Sequence, residues 1–433
     1  MASVVVPLQQ GSQWTLGLTL NNRGVPLGDL RNVLYALRHA PEWQGVLAYD
    51  AFAARVITQK PLPWGDRTVE EWADDHDTRA CEWMQEQGIP AAAGVVGRGI
   101  QTVARENRVH PVRDYLHALD WDGTPRLDSW LARYLGVEDS PYVQAVGSRF
   151  LISAVARVEQ PGCKADQVLI LEGPQGILKS SALQALADPW FTDRISNLGG
   201  KDAAMEIAGM WLVEMAELDA LLRAVLSATK GFVTRRHDRF RPPYGKHVVD
   251  RPRQCVFAGT INPVGGYLKD PTGARRFWPV SCGVIDLEAL VRDRDQLWAE
   301  AFVRFRAGAP WWLDTPELEA LAKSEQEARF EVDTWTEKVV RWLGDRTDVG
   351  VGEVLTGALG VAREGWSQTA QYRIAKILVN NGFERYRLGR AGQPRTSRYR
   401  REGQRIGAIV ERTSSGFRRK HRPPILSLAI TIA

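Results

Sequence analysis

The sequence predicts an α/β core built on a parallel sheet, with a mainly helical N-terminal region before it and a small C-terminal domain after it. Two observations predict the core. Short apolar runs at residues 167–171, 210–213 and 255–258 are bounded by polar residues, a pattern typical of strands buried on both faces of a parallel sheet. Residues 179–186, between the first two runs, have the pattern of a helix, which gives the strand–helix–strand order of a crossover connection.

Changes in composition predict four parts of the chain. We expect a helical accessory region at 1–110, the α/β core with its helical lead-in at 111–332, a small domain at 333–402 and a basic tail at 403–433. Within the first two parts, helical patterns lie at 27–39, 66–135 and 141–158, and Pro161-Gly162 ends the last of these. Most of the 16 tryptophans stand in apolar periodic contexts, so we expect them to pack in the core.

Composition and charge exclude several classes of protein. A net charge of +5 and a pI near 9.0 favour a polyanionic partner. The four cysteines lie far apart without a C-x-x-C pair, so neither a zinc motif nor a disulfide framework is indicated. No signal peptide and no apolar run of about 18 residues is present, which predicts a cytoplasmic protein with no membrane partner.

A glycine-rich segment follows the first apolar run. It matches the phosphate-loop pattern G-x-x-x-x-G-K-[ST] at Gly173, Lys179 and Ser180, while Leu178 stands where the pattern has glycine. Backbone N–H groups of such a loop surround phosphate oxygens, the lysine reaches the terminal phosphates, and the serine hydroxyl binds magnesium. A side chain at position 178 is expected to limit positive φ and close phosphate approach. The predicted ATP-binding residues are Gly173, Gln175, Gly176, Leu178, Lys179, Ser180 and Ser181.

Carboxylates follow the second apolar run, at Glu214 and Glu217. A carboxylate at a strand end beside a phosphate loop is placed to handle magnesium and the attacking water. We assign Glu214 to the metal and Glu217 to the water, and the two roles are interchangeable at this stage. A solvated helix start is the structural alternative, because glutamate is favoured in a first helical turn.

Two further polar sites follow along the chain. Asn262 ends the third predicted strand, four residues after the apolar run at 255–258, where an amide can hold the lytic water or sense the terminal phosphate; an ordinary turn is the alternative. Arg275 and Arg276 stand together in a tight turn, which suits an arginine finger acting across a subunit boundary. A surface basic pair, or an anchor for an acidic neighbour, is the alternative for these arginines.

These motifs, in this order, resemble those of the virulence-associated E family of phage and mobile-element proteins. The family consists of P-loop ATPases related to superfamily 3 helicases. The resemblance covers roughly residues 20–330 and is carried by residues 112–116, 121–123, 161–166, 173–181, 211–218, 238–245, 273–280 and 311–313. It implies an AAA+-like ATPase core, with ATP and Mg²⁺ as cofactors, that works on DNA replication.

The resemblance also implies roles for single residues. Lys179 and Ser180 would bind ATP and magnesium, Glu214 and Glu217 would form the acidic strand, Asn262 would be the sensor, and Arg275 or Arg276 would be the finger. A homo-oligomeric ring, such as a hexamer, in the cytoplasm of a bacterial host is implied. Family members are often joined to a primase, but residues 1–110 show no spaced acidic pair with a histidine, so a separate primase is the expected partner.

A basic stretch at 235–253 precedes the third apolar run. Seven Lys/Arg against two Asp give it an excess of +5. In ring motors of this kind such an insertion typically points to the central channel, where basic residues follow phosphates and Phe240 or Tyr244 stack on bases. The alternative is that Asp238 pairs with Arg241 inside the fold. The DNA contacts predicted here are Arg235, Arg236, Arg239, Arg241, Tyr244 and Lys246.

The C-terminal part predicts three helices at 335–343, 351–358 and 370–380, followed by a hairpin at 382–387 and 396–400. This order suggests a winged helix-turn-helix with 370–380 as the recognition helix. Residues 373–422 hold fifteen Lys/Arg against three Glu, a net of +12 that favours DNA over a solvated tail. The DNA contacts predicted in the hairpin are Arg385, Arg387, Arg398 and Arg400.

The leading hypothesis from the sequence is an ATP-driven ring motor that melts or unwinds DNA during replication of a mobile element, with single-stranded DNA, duplex DNA or both as its partner. A packaging or remodelling translocase that does not unwind DNA is one alternative. The other is a DNA-binding initiator in which Leu178 weakens hydrolysis and nucleotide acts as a conformational switch. Lys179, Glu217 and Arg276 together oppose this last interpretation, because a pure binder does not need a finger in trans.

Overall fold

The computed structural model of the protein describes residues 13–65, 71–195, 202–216, 231–241, 248–262, 265–268, 274–330, 333–388 and 396–401. The chain divides into two units, Met1–Glu331 and Val332–Ala433. The first is a mixed α/β fold with a parallel sheet, as predicted. No helix of the described ranges is long and apolar enough to cross a membrane.

The N-terminal region combines the predicted helices with a small sheet that the sequence patterns did not reveal. Its elements are α1 (Leu30–His39), β1 (Leu47–Asp50), β2 (Arg55–Thr58), α2 (Asp74–Glu86), α3 (Ala93–Glu106) and β3 (Arg108–Val109). Strand β1 pairs antiparallel with β2 and parallel with β3. These strands have two to four residues, too few for a period-2 pattern to stand out. Trp43 and Trp83 are buried here and meet edge to face, in keeping with the core role expected of the tryptophans.

A helical lead-in connects this region to the central sheet. It comprises α4 (Pro111–Ala118), α5 (Trp130–Leu135) and α6 (Pro141–Glu159). Helix α6 begins after Ser140, whose hydroxyl accepts a hydrogen bond from the N–H of Val143, and Pro141 occupies the first turn, where no donor is lost. Nearly all of α6 is buried, because it lies between the sheet and the outer helices.

The central sheet contains β4 (Val168–Glu172), β5 (Phe191–Thr192), β6 (Leu212–Met215), β9 (Val256–Ile261) and β10 (Phe277–Ser281), in the order β10-β4-β9-β6-β5. All neighbouring pairs are parallel. Helix α7 (Lys179–Ala187) follows β4, and α8 (Ala203–Glu206) precedes β6. The hairpin of β7 (His237–Phe240) and β8 (Val249–Pro252) lies between β6 and β9 in the chain.

The sheet is buried on both faces, which explains the uninterrupted apolar runs of its strands. Leu169 and Leu171 of β4 pack with α6 and with α9 (Leu287–Arg306) on one face. Val168 and Ile170 point to the opposite face, where they join Phe232 and other residues in a second cluster. Helix α10 (Pro316–Glu327) completes this unit.

The second unit contains the three predicted helices and the predicted hairpin. The helices are α11 (Thr336–Leu343), α12 (Val351–Leu359) and α13 (Gln368–Asn380), and the strands are β11 (Asp348–Gly350), β12 (Phe383–Leu388) and β13 (Thr396–Arg401). Strands β12 and β13 pair antiparallel, and β11 adds to β13 as a third strand. Ile374, Leu378, Phe383 and Tyr399 belong to the core that joins helices to sheet.

Candidate nucleotide site and nucleic-acid surfaces

The loop between β4 and α7 lies at the carboxyl edge of the parallel sheet, the edge at which ligands of open α/β sheets bind. Lys179 opens α7 and is 9% exposed. Its Nζ donates hydrogen bonds to the carbonyl oxygens of Gly173 and Pro174, both at 2.7 Å. Burial lowers the pKa of Lys179, and burial raises the pKa of the Cys282 thiol to about 12. The loop therefore encloses an ammonium group whose partners are backbone carbonyls.

Leu178 adopts the backbone conformation that the phosphate-loop pattern normally assigns to glycine. Its φ of 70° and ψ of 24° lie in the left-handed region, as does the φ of 86° at Gly176. We expected a side chain at 178 to limit positive φ, but the backbone takes it nonetheless. The cost for a residue with a Cβ is about 1–2 kcal/mol. The side chain is 46% exposed, so its partial burial offsets part of that cost.

Glu214 joins the acidic strand to the phosphate loop. Its carboxylate, 1% exposed, accepts hydrogen bonds at Oε1 from the hydroxyls of Ser180 and Thr260, both at 2.6 Å. Its Oε2 is buried and makes no hydrogen bond within the described part of the chain. The structure thus brings together Ser180 and Glu214, which are 34 residues apart. Thr260 was not predicted; its position near the end of β9, two residues before Asn262, was the available signal.

Asn262 lies at the same edge of the sheet. It directly follows β9, whose last residue, Ile261, pairs with Glu172 and accepts a hydrogen bond from the N–H of Gly173 at 3.2 Å. Asn262 is exposed and directly follows the residue that contacts the start of the phosphate loop. Glu217 lies outside the described residues, and its predicted role stays a prediction.

Arg275 and Arg276 lie at the other edge of the sheet. They precede β10, whose first residue pairs with Val168 at the beginning of β4. Five residues of strand, roughly 16 Å at ~3.3 Å per residue, therefore separate them from the phosphate loop of the same chain. Arg275 is exposed, and the Nε of Arg276 lies 3.6 Å from a carboxylate oxygen of Asp166. The arginines are therefore too far from the loop of their own chain, and an arginine finger at this position would have to act on the loop of a neighbouring subunit.

A buried ion pair holds the residue immediately before the loop. Glu172, 4% exposed, accepts hydrogen bonds from Arg329 at 2.6 and 2.7 Å, from Tyr267 at 2.8 Å and from Ser281 at 2.8 Å. Burial alone would raise the pKa of Glu172, but the Arg329 guanidinium and the two hydroxyls hold it below its usual value. Sequence reasoning missed this cluster because 157 residues separate Glu172 from Arg329.

The hairpin of β7 and β8 carries part of the predicted basic surface. Asp238 does not pair with Arg241, as the structural alternative supposed. It forms a buried bidentate pair with Arg253, at 2.9 and 2.5 Å, because both side chains face the sheet core beneath the hairpin. Arg253 is therefore a structural residue within the basic stretch.

The remaining predicted contacts of this stretch divide into described and undescribed residues. Arg235 lies over the ring of Phe232 at 5.3 Å, and Arg236 donates to the carbonyl of Gly162 at 2.7 Å. Arg239 is exposed and pairs in register with Asp250; Arg241 is also exposed. Tyr244 and Lys246 lie outside the described residues.

The hairpin of the second unit carries four predicted DNA contacts, and one of them, Arg398, is bound by carboxylates of the fold. Arg385 donates to the hydroxyl of Ser397, at 2.8 and 3.2 Å, and Arg387 is exposed. Arg400 lies 5.1 Å from the ring centroid of Tyr386. Arg398 is held by two carboxylates, with Nε 2.5 Å from Asp348 and Nη1 2.7 Å from Glu353. Its charge is therefore compensated within the fold.

Comparison with known proteins identifies the first unit. Residues 116–331 match the model of the virulence-associated protein E-like domain. The chain belongs to this virulence-associated protein E-like family. The matched range begins in α4 and ends after α10, so in this family member it includes the whole central sheet, the phosphate-loop segment and the β7–β8 hairpin.

Two solved structures are similar to the chain at low identity. "The apo structure of NrS-1 C terminal region (305-718)" has 11% identity and a TM-score of 0.42, over 81% of this chain and 95% of that chain. "The A form apo structure of NrS-1 C terminal region-CTR(305-718)" has 12% identity and a TM-score of 0.43, over 85% and 98%. No curated protein matches the chain.

Proposed function

We propose that the chain is an ATP-dependent DNA motor, a replicative helicase or replication initiator of a phage or mobile element. The observation that carries this proposal is the hydrogen bond from Ser180 to Glu214, at 2.6 Å. It joins the hydroxyl that follows a phosphate-loop lysine to a buried carboxylate on a nearby strand of a parallel sheet. That combination is the recurring arrangement of P-loop nucleotide hydrolysis. Membership of the virulence-associated protein E-like family supports the assignment.

In this proposal Lys179 moves its hydrogen bonds from protein to nucleotide. Its Nζ now satisfies two carbonyls of its own loop. Terminal phosphate oxygens carry more negative charge than those carbonyls, so they compete effectively for a charged donor in a site with little water. The N–H groups at the start of α7 add a favourable field for the same phosphates.

Ser180 and Glu214 fit the magnesium that such a nucleotide brings. Magnesium is usually bound through one or two carboxylates and the substrate phosphates, and the buried Oε2 of Glu214 has no hydrogen-bond partner in the described residues. Ser180 and Glu214 would therefore hold the ion, which when bound would neutralise charge on the phosphates. Thr260 orients the carboxylate by donating to Oε1, so it acts as a positioning residue.

The remaining catalytic roles are proposed from the position of each residue relative to the central sheet. Asn262, which follows the strand end next to the loop, is proposed to hold the attacking water or to contact the terminal phosphate, and Glu217 is proposed to polarise that water. Arg275 and Arg276 are proposed as fingers for a neighbouring subunit, since they lie at the opposite edge of the sheet. In an AAA+-like homo-oligomeric ring, each subunit would supply the phosphate loop of one site and the arginine finger of the next.

DNA contact is proposed at two places in the chain. The first is the β7–β8 hairpin with its exposed Arg239 and Arg241. The second is the unit of three helices and a hairpin, which has the order of a winged helix-turn-helix, with Arg385, Arg387 and Arg400 in its wing. Arg398 is left out of this surface because two carboxylates already bind it.

A second candidate is an initiator in which nucleotide acts as a switch and is hydrolysed little. The observation that favours it is Leu178, whose side chain stands in the phosphate loop at a left-handed backbone position. Backbone strain of this kind persists at functional sites when the surrounding structure fixes it. Hydrolysis separates the two candidates, since both bind nucleotide and DNA.

The test is ATP hydrolysis by the intact chain, with and without single-stranded and duplex DNA, at low and high salt. We expect DNA to stimulate hydrolysis, the stimulation to fade with salt, and Lys179→Ala to abolish it. Lys323→Ala is the matched control, because Lys323 is an exposed lysine of the same unit, on α10. Equal turnover by the Lys179 variant and the control would refute the site, whereas DNA binding without any turnover would establish the switch.

A further inference from the structure

A cleft of about 340 Å³ lies between the N-terminal sheet and the base of the β7–β8 hairpin. Tyr49 and Arg108 line it from the N-terminal side, and Phe240 and Arg251 line it from the hairpin. It lies away from the phosphate-loop edge, and among the described hairpin residues that the sequence linked to DNA it includes Phe240 but not Arg235, Arg236, Arg239 or Arg241. A volume near the lower limit of small-ligand sites leaves room for one nucleotide strand but not for a duplex.

The cleft is positively charged. Within the described ranges, no carboxylate pairs with Arg108 or Arg251. Asp238 is the one carboxylate among the described lining residues, and Arg253 already binds both of its oxygens. Arg113 also lines the cleft, but its guanidinium donates to the carbonyl oxygens of Val158 and Glu159 and lies 3.8 Å from the Glu159 carboxylate. Because Asp238 and Arg253 compensate each other, Arg108 and Arg251 give the cleft its excess charge. An anionic ligand is therefore the chemistry that the cleft can accept.

Each wall combines an arginine with an aromatic ring. On the N-terminal side, the guanidinium carbons of Arg105 and Arg108 lie 5.0 and 5.9 Å from the centroid of the Tyr49 ring. On the hairpin side, that of Arg251 lies 5.3 Å from the centroid of Phe240. Rings and guanidinium planes are the surfaces on which unpaired bases stack, while the same arginines contact phosphates.

Strand geometry assigns these hairpin residues to one face. Asp238 and Phe240 alternate with His237 and Arg239 along β7, and Asp238 pairs in register with Arg251. Side chains alternate between the two faces of a strand, so Phe240 and Arg251 share the cleft face. Arg239 and its partner Asp250 share the other face, where both are exposed. The hairpin therefore offers a stacking face towards the N-terminal region and a charged face to solvent.

We propose that this cleft binds a segment of single-stranded nucleic acid, with Arg108 and Arg251 on its phosphates and Tyr49 and Phe240 on its bases. The inference rests on the proposed DNA motor function and extends it to the N-terminal region, which gains a direct role in holding the strand. A free nucleotide shares the same phosphate and base chemistry. A strand is favoured because the aromatic and basic groups stand on both walls of an open cleft, as in sequence-tolerant single-strand sites.

The experiment measures binding of fluorescent oligo(dT) to the nucleotide-free intact chain over a range of salt concentrations. The variant is Arg108→Gln with Arg251→Gln. Its control, Arg31→Gln with Arg98→Gln, removes two exposed arginines from helices outside the cleft. Loss of two phosphate contacts should reduce the slope of log K against log salt by about 1.4, or roughly 25-fold in affinity at 0.1 M salt. The double lysine variant, which keeps both charges, should restore the slope.

Several outcomes would overturn the proposal. Equal salt slopes for the variant and its control would do so, as would tight binding of free ATP that competes with oligo(dT) in the Lys179→Ala background. If the glutamine variant does not fold, photocrosslinking of an iodouracil-containing strand to the wild-type chain replaces it. Crosslinks at Tyr49 or Phe240 support the cleft, and crosslinks confined to other peptides refute it. A wild-type chain that binds oligo(dT) through the cleft but shows no DNA-stimulated hydrolysis would instead refute only the motor function.

Discussion

Replacing Leu178 by glycine separates the backbone cost of this position from the effect of its side chain. Relief of the left-handed conformation should stabilise the protein by about 1–2 kcal/mol. The greater freedom of glycine in the unfolded chain removes about 0.5–1 kcal/mol of this gain. The side chain is 46% exposed, so losing its burial costs about 1 kcal/mol more. The free energy of unfolding of Leu178→Gly should therefore lie within about 1 kcal/mol of the wild-type value.

Leu178→Ala is the matched control for this substitution. Alanine keeps the Cβ and the strain but loses the same burial, so it should be less stable than the glycine variant by about 0.5–1 kcal/mol. Urea unfolding of the three proteins measures the difference. An alanine variant as stable as the glycine variant would refute the argument from backbone strain.

The same pair of variants tests the effect of position 178 on nucleotide. If the Cβ hinders a backbone N–H from reaching phosphate, glycine restores one charge-assisted hydrogen bond of about 1.5 kcal/mol, or roughly tenfold in affinity. We expect the KM for ATP in DNA-stimulated hydrolysis to fall about tenfold in Leu178→Gly and to stay near the wild-type value in Leu178→Ala. An equal fall in both variants would assign the effect to side-chain bulk and refute the backbone explanation.

Two further predictions concern buried carboxylates. Glu214→Gln keeps acceptors for Ser180 and Thr260 but removes the charge, so nucleotide affinity should lose its dependence on Mg²⁺; titration with Mg²⁺ or with EDTA measures this, and an unaltered dependence would contradict the assignment. Arg329→Met leaves Glu172 buried without its cation and should lower the free energy of unfolding by about 3–5 kcal/mol at neutral pH. Because the ion pair lowers the pKa of folded Glu172 from 4.5, its contribution is present above that value and is lost as the pH falls through the folded pKa. Urea unfolding from neutral pH downwards should therefore show the difference between wild type and variant shrinking with acidification, and a constant difference would exclude the ion pair as its cause.

The sequence by itself determined the features that are written locally in the chain. Strands β4, β6 and β9 each begin with apolar residues because the sheet is covered on both faces, and this composition is readable within five residues. The phosphate-loop pattern likewise lies within one short segment, and the capping and breaking residues around α6 fix that helix to within a residue. The roles of these residues in catalysis stay predictions.

Only the tertiary structure decided which distant side chains meet. Thr260 donates to Glu214, and Arg329 donates to Glu172. Asp238 pairs with Arg253 and not with Arg241, the partner considered from the sequence. Each pairing depends on strand order and register, which place residues tens or hundreds of positions apart within hydrogen-bond distance. The cleft between Tyr49 and Arg251 also depends on the tertiary structure. Strands β1 and β3 are short, and nothing in their sequence predicts that they lie next to the β7–β8 hairpin. A local pattern specifies an element, whereas burial of polar groups in a common core selects their partners.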